Sequence, residues 1–224
     1  MPGNDNEHDT RAASRVPLDG QKGAWGAERN GGGEVKPVCT FDAEAHRYTI
    51  NGREVPSVTT VLRAVIPQWQ ASEWHMQRGT AVHACAALIA RGVEFEHDPQ
   101  IGGRVAACRL FFEEVRPQVI HVERQVYSPL YGFAGTLDLA AEITGEVCLI
   151  DWKATLSKVI QWQLGAYAIA LKETTGGAAR EGFGVELRDN GEYQIGESYD
   201  LTRAGREFLA ILGTYNCMKR EGMI

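Results

Sequence analysis

Apolar residues recur at two periods along the chain, and the change of period marks its elements. Near the start, residues 39–42 and 46–50 read as short strands, and Asn51-Gly52 after them is a turn signal. Val58, Val61, Leu62 and Val65 then repeat at helical spacing behind Ser57, a capping residue, and Pro67 closes the run. A longer helix is predicted over 70–91, with Val82, Cys85, Ala86 and Ile89 on one face and Gly92 as its stop. Another fits 101–116, ending before Pro117. The pattern next turns strand-like over 118–128, 135–143 and 146–152, and Thr144-Gly145 joins the last two as a hairpin. Helical spacing returns over 158–172. Strands at 182–188 and 192–198 flank Asp189-Asn190-Gly191, and a final helix covers 202–220. This order predicts an α/β (α+β mixed) fold, a central mixed β-sheet flanked by helices.

Residues 1–35 break from the pattern. They are Gly-rich and polar, include Gly31-Gly32-Gly33, and hold too few apolar side chains to offset chain entropy. The expectation is a disordered tail followed by one domain over 36–224. No apolar run approaches the roughly 18 residues of a membrane span, and the N-terminal stretch has no signal-like apolar region. A cytoplasmic protein is expected. At 224 residues, 44% hydrophobic and 23% charged, the chain has ordinary globular composition. Its net charge of −6 does not announce nucleic acid, yet a local basic patch or metal site would serve that purpose. Five widely spaced cysteines with no CxxC argue for buried reduced thiols, and against a zinc knuckle or a disulfide framework.

The chemistry concentrates in residues 135–155, GTLDLAAEITGEVCLIDWKAT. Asp138 interrupts one apolar strand, and Asp151 follows another. Asp151 and Lys153 share a strand face. With the turn at 144–145, Asp138 and Asp151 fall at the same end of adjacent strands. Two carboxylates so placed repel unless a cation or a proton intervenes. Mg²⁺ takes one or two carboxylates plus phosphate oxygens and water, and a neighbouring lysine can orient the attacking water. This is equipment for phosphodiester hydrolysis. The bland alternative makes the two aspartates solvent-facing strand ends and Lys153 an ion-pair partner. His83 on the long helix, Glu123 in a strand, and Gln163 and Tyr167 on one helix face are each weak signals alone.

Taken in order, His83, Gly135-Thr136-Leu137-Asp138, Asp151-Trp152-Lys153 and Gln163-x-x-x-Tyr167 resemble the RecB branch of the PD-(D/E)XK nucleases. The flavour is that of phage-type exonucleases and the mitochondrial genome maintenance exonuclease. Val55-Pro56-Ser57-Val58-Thr59-Thr60 and Arg78-Gly79-Thr80 look like N-terminal segments of that family. The likeness spans about 46–170. It implies a restriction-endonuclease-like core and a Mg²⁺- or Mn²⁺-dependent DNA exonuclease of recombination or repair, using one or two ions. His83, Asp138, Asp151 and the Trp152 carbonyl would ligate metal. Lys153 would be the catalytic lysine, with Gln163 and Tyr167 positioning it or the DNA. Glu123 matches a less regular acidic position, and Arg78 and Thr80 would contact DNA. With Cys217 the only C-terminal cysteine, no iron–sulfur cluster is expected. The implied partners are DNA with ends, and a recombinase or single-strand-binding protein. A nicking or structure-specific endonuclease and an inactive DNA-binding module are the alternatives. Arg91, Arg104 and Arg109 are further candidates for tracking the backbone, and Trp69 and Trp74 for base stacking.

Overall fold

The computed structural model describes residues 37–43, 45–66 and 73–224. The tail, Trp69 and the side chain of Trp74 lie outside what it describes. Three short antiparallel strands come first: β1 (Cys39–Asp42), β2 (Arg47–Ile50) and β3 (Arg53–Val55). Helix α1 (Val58–Val65) follows, capped by Ser57, whose hydroxyl accepts the Thr60 N–H at 3.0 Å. Helices α2 (Glu73–Ala90) and α3 (Gly102–Val115) come next, separated by a short 3-10 turn at Pro99–Ile101.

The central sheet is built from β4 (Gln118–Ser128), β5 (Phe133–Ile143), β6 (Glu146–Lys153), β7 (Glu181–Leu187) and β8 (Tyr193–Ile195), in that spatial order. A sixth strand, β9 (Tyr199–Asp200), pairs with β7. Strands β6 and β7 are parallel, joined by α4 (Ile160–Thr175), and the other pairs are antiparallel. Helix α5 (Leu201–Arg220) closes the chain, its first turn capped by Asp200. The sheet is therefore mixed, as the pattern predicts. Of the expected strand over 192–198 only β8 forms, and β9 follows beyond it, with the Gly196 N–H bonded to the Gly184 carbonyl between the two.

Each face of the sheet buries its own apolar cluster. Leu62, Phe133, Leu137, Leu149, Leu164 and Phe208 pack together where α1, α4 and α5 lie. Val82, Val105, Phe111, Leu139, Ile150 and Trp152 pack together where α2 and α3 lie. Side chains on a regular strand alternate between faces. In β5 they do not: Phe133 and Leu137 belong to the first cluster, Leu139 and Ala141 to the second. The odd-numbered positions change face, and Asp138 sits at the change.

Four of the five cysteines are buried free thiols, as expected; Cys217 on α5 is exposed. Burial pushes the Cys108 thiol up to about 12. Among the described residues, no helix is long and apolar enough to cross a membrane.

Candidate active site

The break in β5 coincides with an opening of the sheet. The β5–β6 ladder runs from Ile143↔Glu146 to Leu139↔Ile150 and stops. One step beyond its last pair lie Asp138 and Asp151. Past Ile150, β6 stays paired on its other side, with β7, through Lys153↔Glu186. The Trp152 N–H instead donates to Asp138 Oδ2 at 2.9 Å. A side-chain carboxylate thus takes a backbone donor at the split. The Trp152 indole anchors this segment, buried edge-on against Phe111 with ring centroids 5.3 Å apart.

Strand β4 has its own irregularity opposite. Val122 pairs with Leu139 and Arg124 with Leu137, so Glu123 falls across from Asp138. Glu123 has φ of 47°, a left-handed backbone rare outside Gly, Asn and Asp. Such strain persists only where surroundings fix it, and it clusters at functional sites.

Side chains reach this point from both helical layers. From α2, His83 Nδ1 lies 3.2 Å from Asp138 Oδ1. Ligating atoms of His83, Glu123 and Asp138 all fall within 4.8 Å of one another. From α4, Gln163 Nε2 donates to Asp151 Oδ1 at 2.9 Å and to the Tyr167 hydroxyl at 3.2 Å. The Lys153 ammonium is ion-paired with Asp151 Oδ2. Asp138 and Asp151 are 8% and 1% exposed, which overturns the reading of both as solvent-facing strand ends.

The electrostatics follow from this crowding. Burial drives Asp151 up, and Lys153 only partly opposes it, so the carboxyl stays above its ordinary range. Burial also acts to raise Asp138, but the charge and hydrogen bond of His83 outweigh it and hold Asp138 low. His83, which burial alone would lower, is raised to about 9 by Asp138. Burial and then the Asp138 charge push Glu123 up to about 7. Lys153 is kept charged against burial by Asp151 and Asp138. Carboxylates packed this closely are balanced here by Lys153 and His83, and such a cluster can also take a divalent cation. The His83–Glu123–Asp138 group fits one: an imidazole nitrogen and two hard oxygens, close enough for small side-chain movements to bring them to bond lengths of about 2.1–2.5 Å.

The expected ligand set and the geometric group differ in membership. The sequence reading joins His83, Asp138, Asp151 and the Trp152 carbonyl and leaves Glu123 doubtful. In the fold Glu123 stands with His83 and Asp138, and Asp151 is engaged by Lys153 and Gln163. The register across the hairpin is readable from the turn. The left-handed Glu123 has no signal in residue type.

The arginines of α2 and α3, and Arg91 just after α2, are held by the protein itself. Arg78 donates to the Gln100 carbonyl at 3.0 Å and to Asp189 at 2.8 Å, and Arg104 Nε reaches the same carboxylate at 2.9 Å. Arg91 donates to the Val122 carbonyl, and Arg109 lies 5.1 Å over the Phe95 ring. Thr80 is exposed on α2. A basic side chain that the sequence reading missed is Arg63 on α1, which with Thr59, Lys153 and Gln163 lines a cavity of about 230 Å³. Its helical spacing from Thr59 (i, i+4) was the available signal.

No family model matches the chain, and no curated protein matches it. Among solved structures, it is similar to LHK-Exo in complex with dAMP, at 14% identity and a TM-score of 0.39, over 75% of this chain and 93% of that one. A second match is the alkaline exonuclease LHK-Exo from Laribacter hongkongensis, at 14% identity and a TM-score of 0.36, over 75% and 92% of the two chains.

Proposed function

We propose that the chain is a divalent-metal-dependent deoxyribonuclease of the PD-(D/E)XK type, working as an exonuclease. The observation that carries this reading is the pair of buried carboxylates, Asp138 and Asp151, at the split between β5 and β6, with the Lys153 ammonium on Asp151. A buried carboxylate pair with a lysine, backed by an imidazole and a third carboxylate, is costly to keep without a use.

A divalent cation, Mg²⁺ or Mn²⁺, held by His83, Glu123 and Asp138 and joined by Asp151 and the Trp152 carbonyl, would neutralise phosphate charge and polarise the scissile phosphoryl group. The chain's own residues do the rest. Gln163 fixes the Asp151 carboxylate, and Tyr167 fixes the Gln163 amide. Asp151 in turn holds Lys153 Nζ beside the carboxylates, where it can hydrogen-bond the attacking water and meet charge building on the phosphate. The cavity at Arg63, Thr59 and Ser157 offers a cation and two hydroxyls to a substrate phosphate. The Trp152 N–H keeps Asp138 from swinging away.

This reading brings DNA as substrate, in recombination or repair, in the cytoplasm of a cell or of a phage-infected host. A recombinase or single-strand-binding protein is the fitting protein partner. End-labelled linear DNA and covalently closed circular DNA, each with Mg²⁺ and with chelator, test it. Loss of label from the linear DNA alone, abolished by chelator, is the expected result. Cutting of the circle makes the enzyme an endonuclease on the same residues. No cleavage of either with Mg²⁺ or Mn²⁺ overturns the reading.

A further inference from the structure

Ser157 and Ile160 line the cavity at Lys153 and also line a larger cavity of about 480 Å³, so this short segment is a wall common to both. The outer cavity is walled by Leu156, Lys158, Gln194, Glu197 and Tyr199, from the loop after β6 and from the β8–β9 segment. Its volume lies in the range of small-ligand sites, about 300–1,000 Å³.

The two linings differ in kind. The inner one offers Arg63 and Lys153 with no carboxylate, which suits phosphate. The outer one sets Glu197 against Lys158, which disfavours a second phosphate. What remains there is an aromatic ring, aliphatic side chains, and the Gln194 amide, whose oxygen accepts from Arg188 and whose NH2 can donate. A nucleobase has those complements: a π face for Tyr199, and edge acceptors for the Gln194 NH2. We propose that the outer cavity is a nucleoside subsite, which seats the base and sugar of the nucleotide whose phosphate lies at Lys153. It rests on the nuclease reading above, and adds recognition of the nucleotide that adjoins the cleaved bond.

The test is calorimetric binding to the full chain with Mg²⁺, using thymidine 5′-monophosphate and 2-deoxyribose 5-phosphate as probes. Neither has a phosphodiester to cleave. The subsite predicts that the nucleotide binds at least about tenfold more tightly than the sugar phosphate. Tyr199→Leu and Gln194→Ala should each shrink that ratio by about fivefold or more, leaving the sugar phosphate's affinity unchanged. Unchanged sugar-phosphate binding also reports an intact fold. If Tyr199→Leu does not fold, Gln194→Ala on β8 carries the test alone. Equal affinity for the two probes, or a ratio that neither variant moves, overturns the subsite. If the chain still cleaves DNA in that case, only the subsite has failed. If it cleaves no DNA and binds neither probe, the nuclease reading has failed with it.

Discussion

Asp138 divides its two oxygens between Trp152 and His83, whereas Asp151 divides its own between Gln163 and Lys153. The two aspartates are neighbours with different surroundings, and their acidities move in opposite directions. Asp151→Asn keeps an oxygen for the Gln163 amide and removes a charge that burial disfavours. We expect cleavage with Mg²⁺ to fall at least about a hundredfold. Normal cleavage would remove Asp151 from the site. Gly135 matters for a different reason. A Cβ there would lie 2.7 Å from Tyr167 Cε1, so only glycine lets the ring pack on β5 beneath Gln163. Gly135→Ala should push Tyr167 aside and reduce turnover more than DNA affinity, as comparison of kcat with KM would show. The pairing of Asp138 with Asp151 was legible from the Thr144-Gly145 turn. The Trp152 N–H on Asp138 was not, because it depends on where the ladder stops. Nor was the backbone of Glu123, since glutamate gives no hint of positive φ.

At the scale of elements, the long periodic segments were readable, as were the short strands β1 and β2, but β3 was not. Helices α1 to α5 and strands β4 to β7 each carry enough alternation to reveal themselves. Strand β3 holds Arg53, Glu54 and Val55, two of them exposed and charged, and only pairing with β2 makes it a strand. The role of Asp189 was equally hidden, because its partners Arg78 and Arg104 are distant in sequence. It ties the turn between β7 and β8 to α2 and α3, and the turn sits so close that a Cβ on Gly103 would meet the Asp189 carbonyl at 1.9 Å. Slight burial acts to raise the Asp189 carboxyl, but Arg104 and Arg78 hold it below its ordinary value of 3.8. A depressed folded-state value means the stabilisation is present above 3.8 and is lost as pH falls through the lower folded value. Asp189→Asn should therefore melt below wild type at neutral pH, by at most about 1 kcal/mol for so exposed a group. The gap should close in acid, once the wild-type carboxyl is protonated. An undiminished gap in acid would show that the charge is not what ties the turn.

At the scale of the whole molecule, one opened sheet joins two helical layers: His83 comes from one side, Gln163 and Tyr167 from the other, and the carboxylates lie between them. Residues 1–34 supply few apolar side chains to such a core. Their removal should leave thermal stability and hydrolysis of naked DNA largely unchanged, and a truncated chain that unfolds would contradict this. The most direct test of the central claim is at Lys153, where binding and chemistry separate. Lys153→Ala leaves every proposed metal ligand in place. A binding isotherm and a single-turnover rate are measured for this variant on the same end-labelled duplex and single strand, with Mg²⁺ for the rate and Ca²⁺ for the isotherm. The account predicts near-normal DNA affinity with the rate reduced at least about a hundredfold. Equal losses in affinity and rate would make Lys153 a binding contact to the phosphate with no part in the chemistry, and no loss in either would contradict the site altogether.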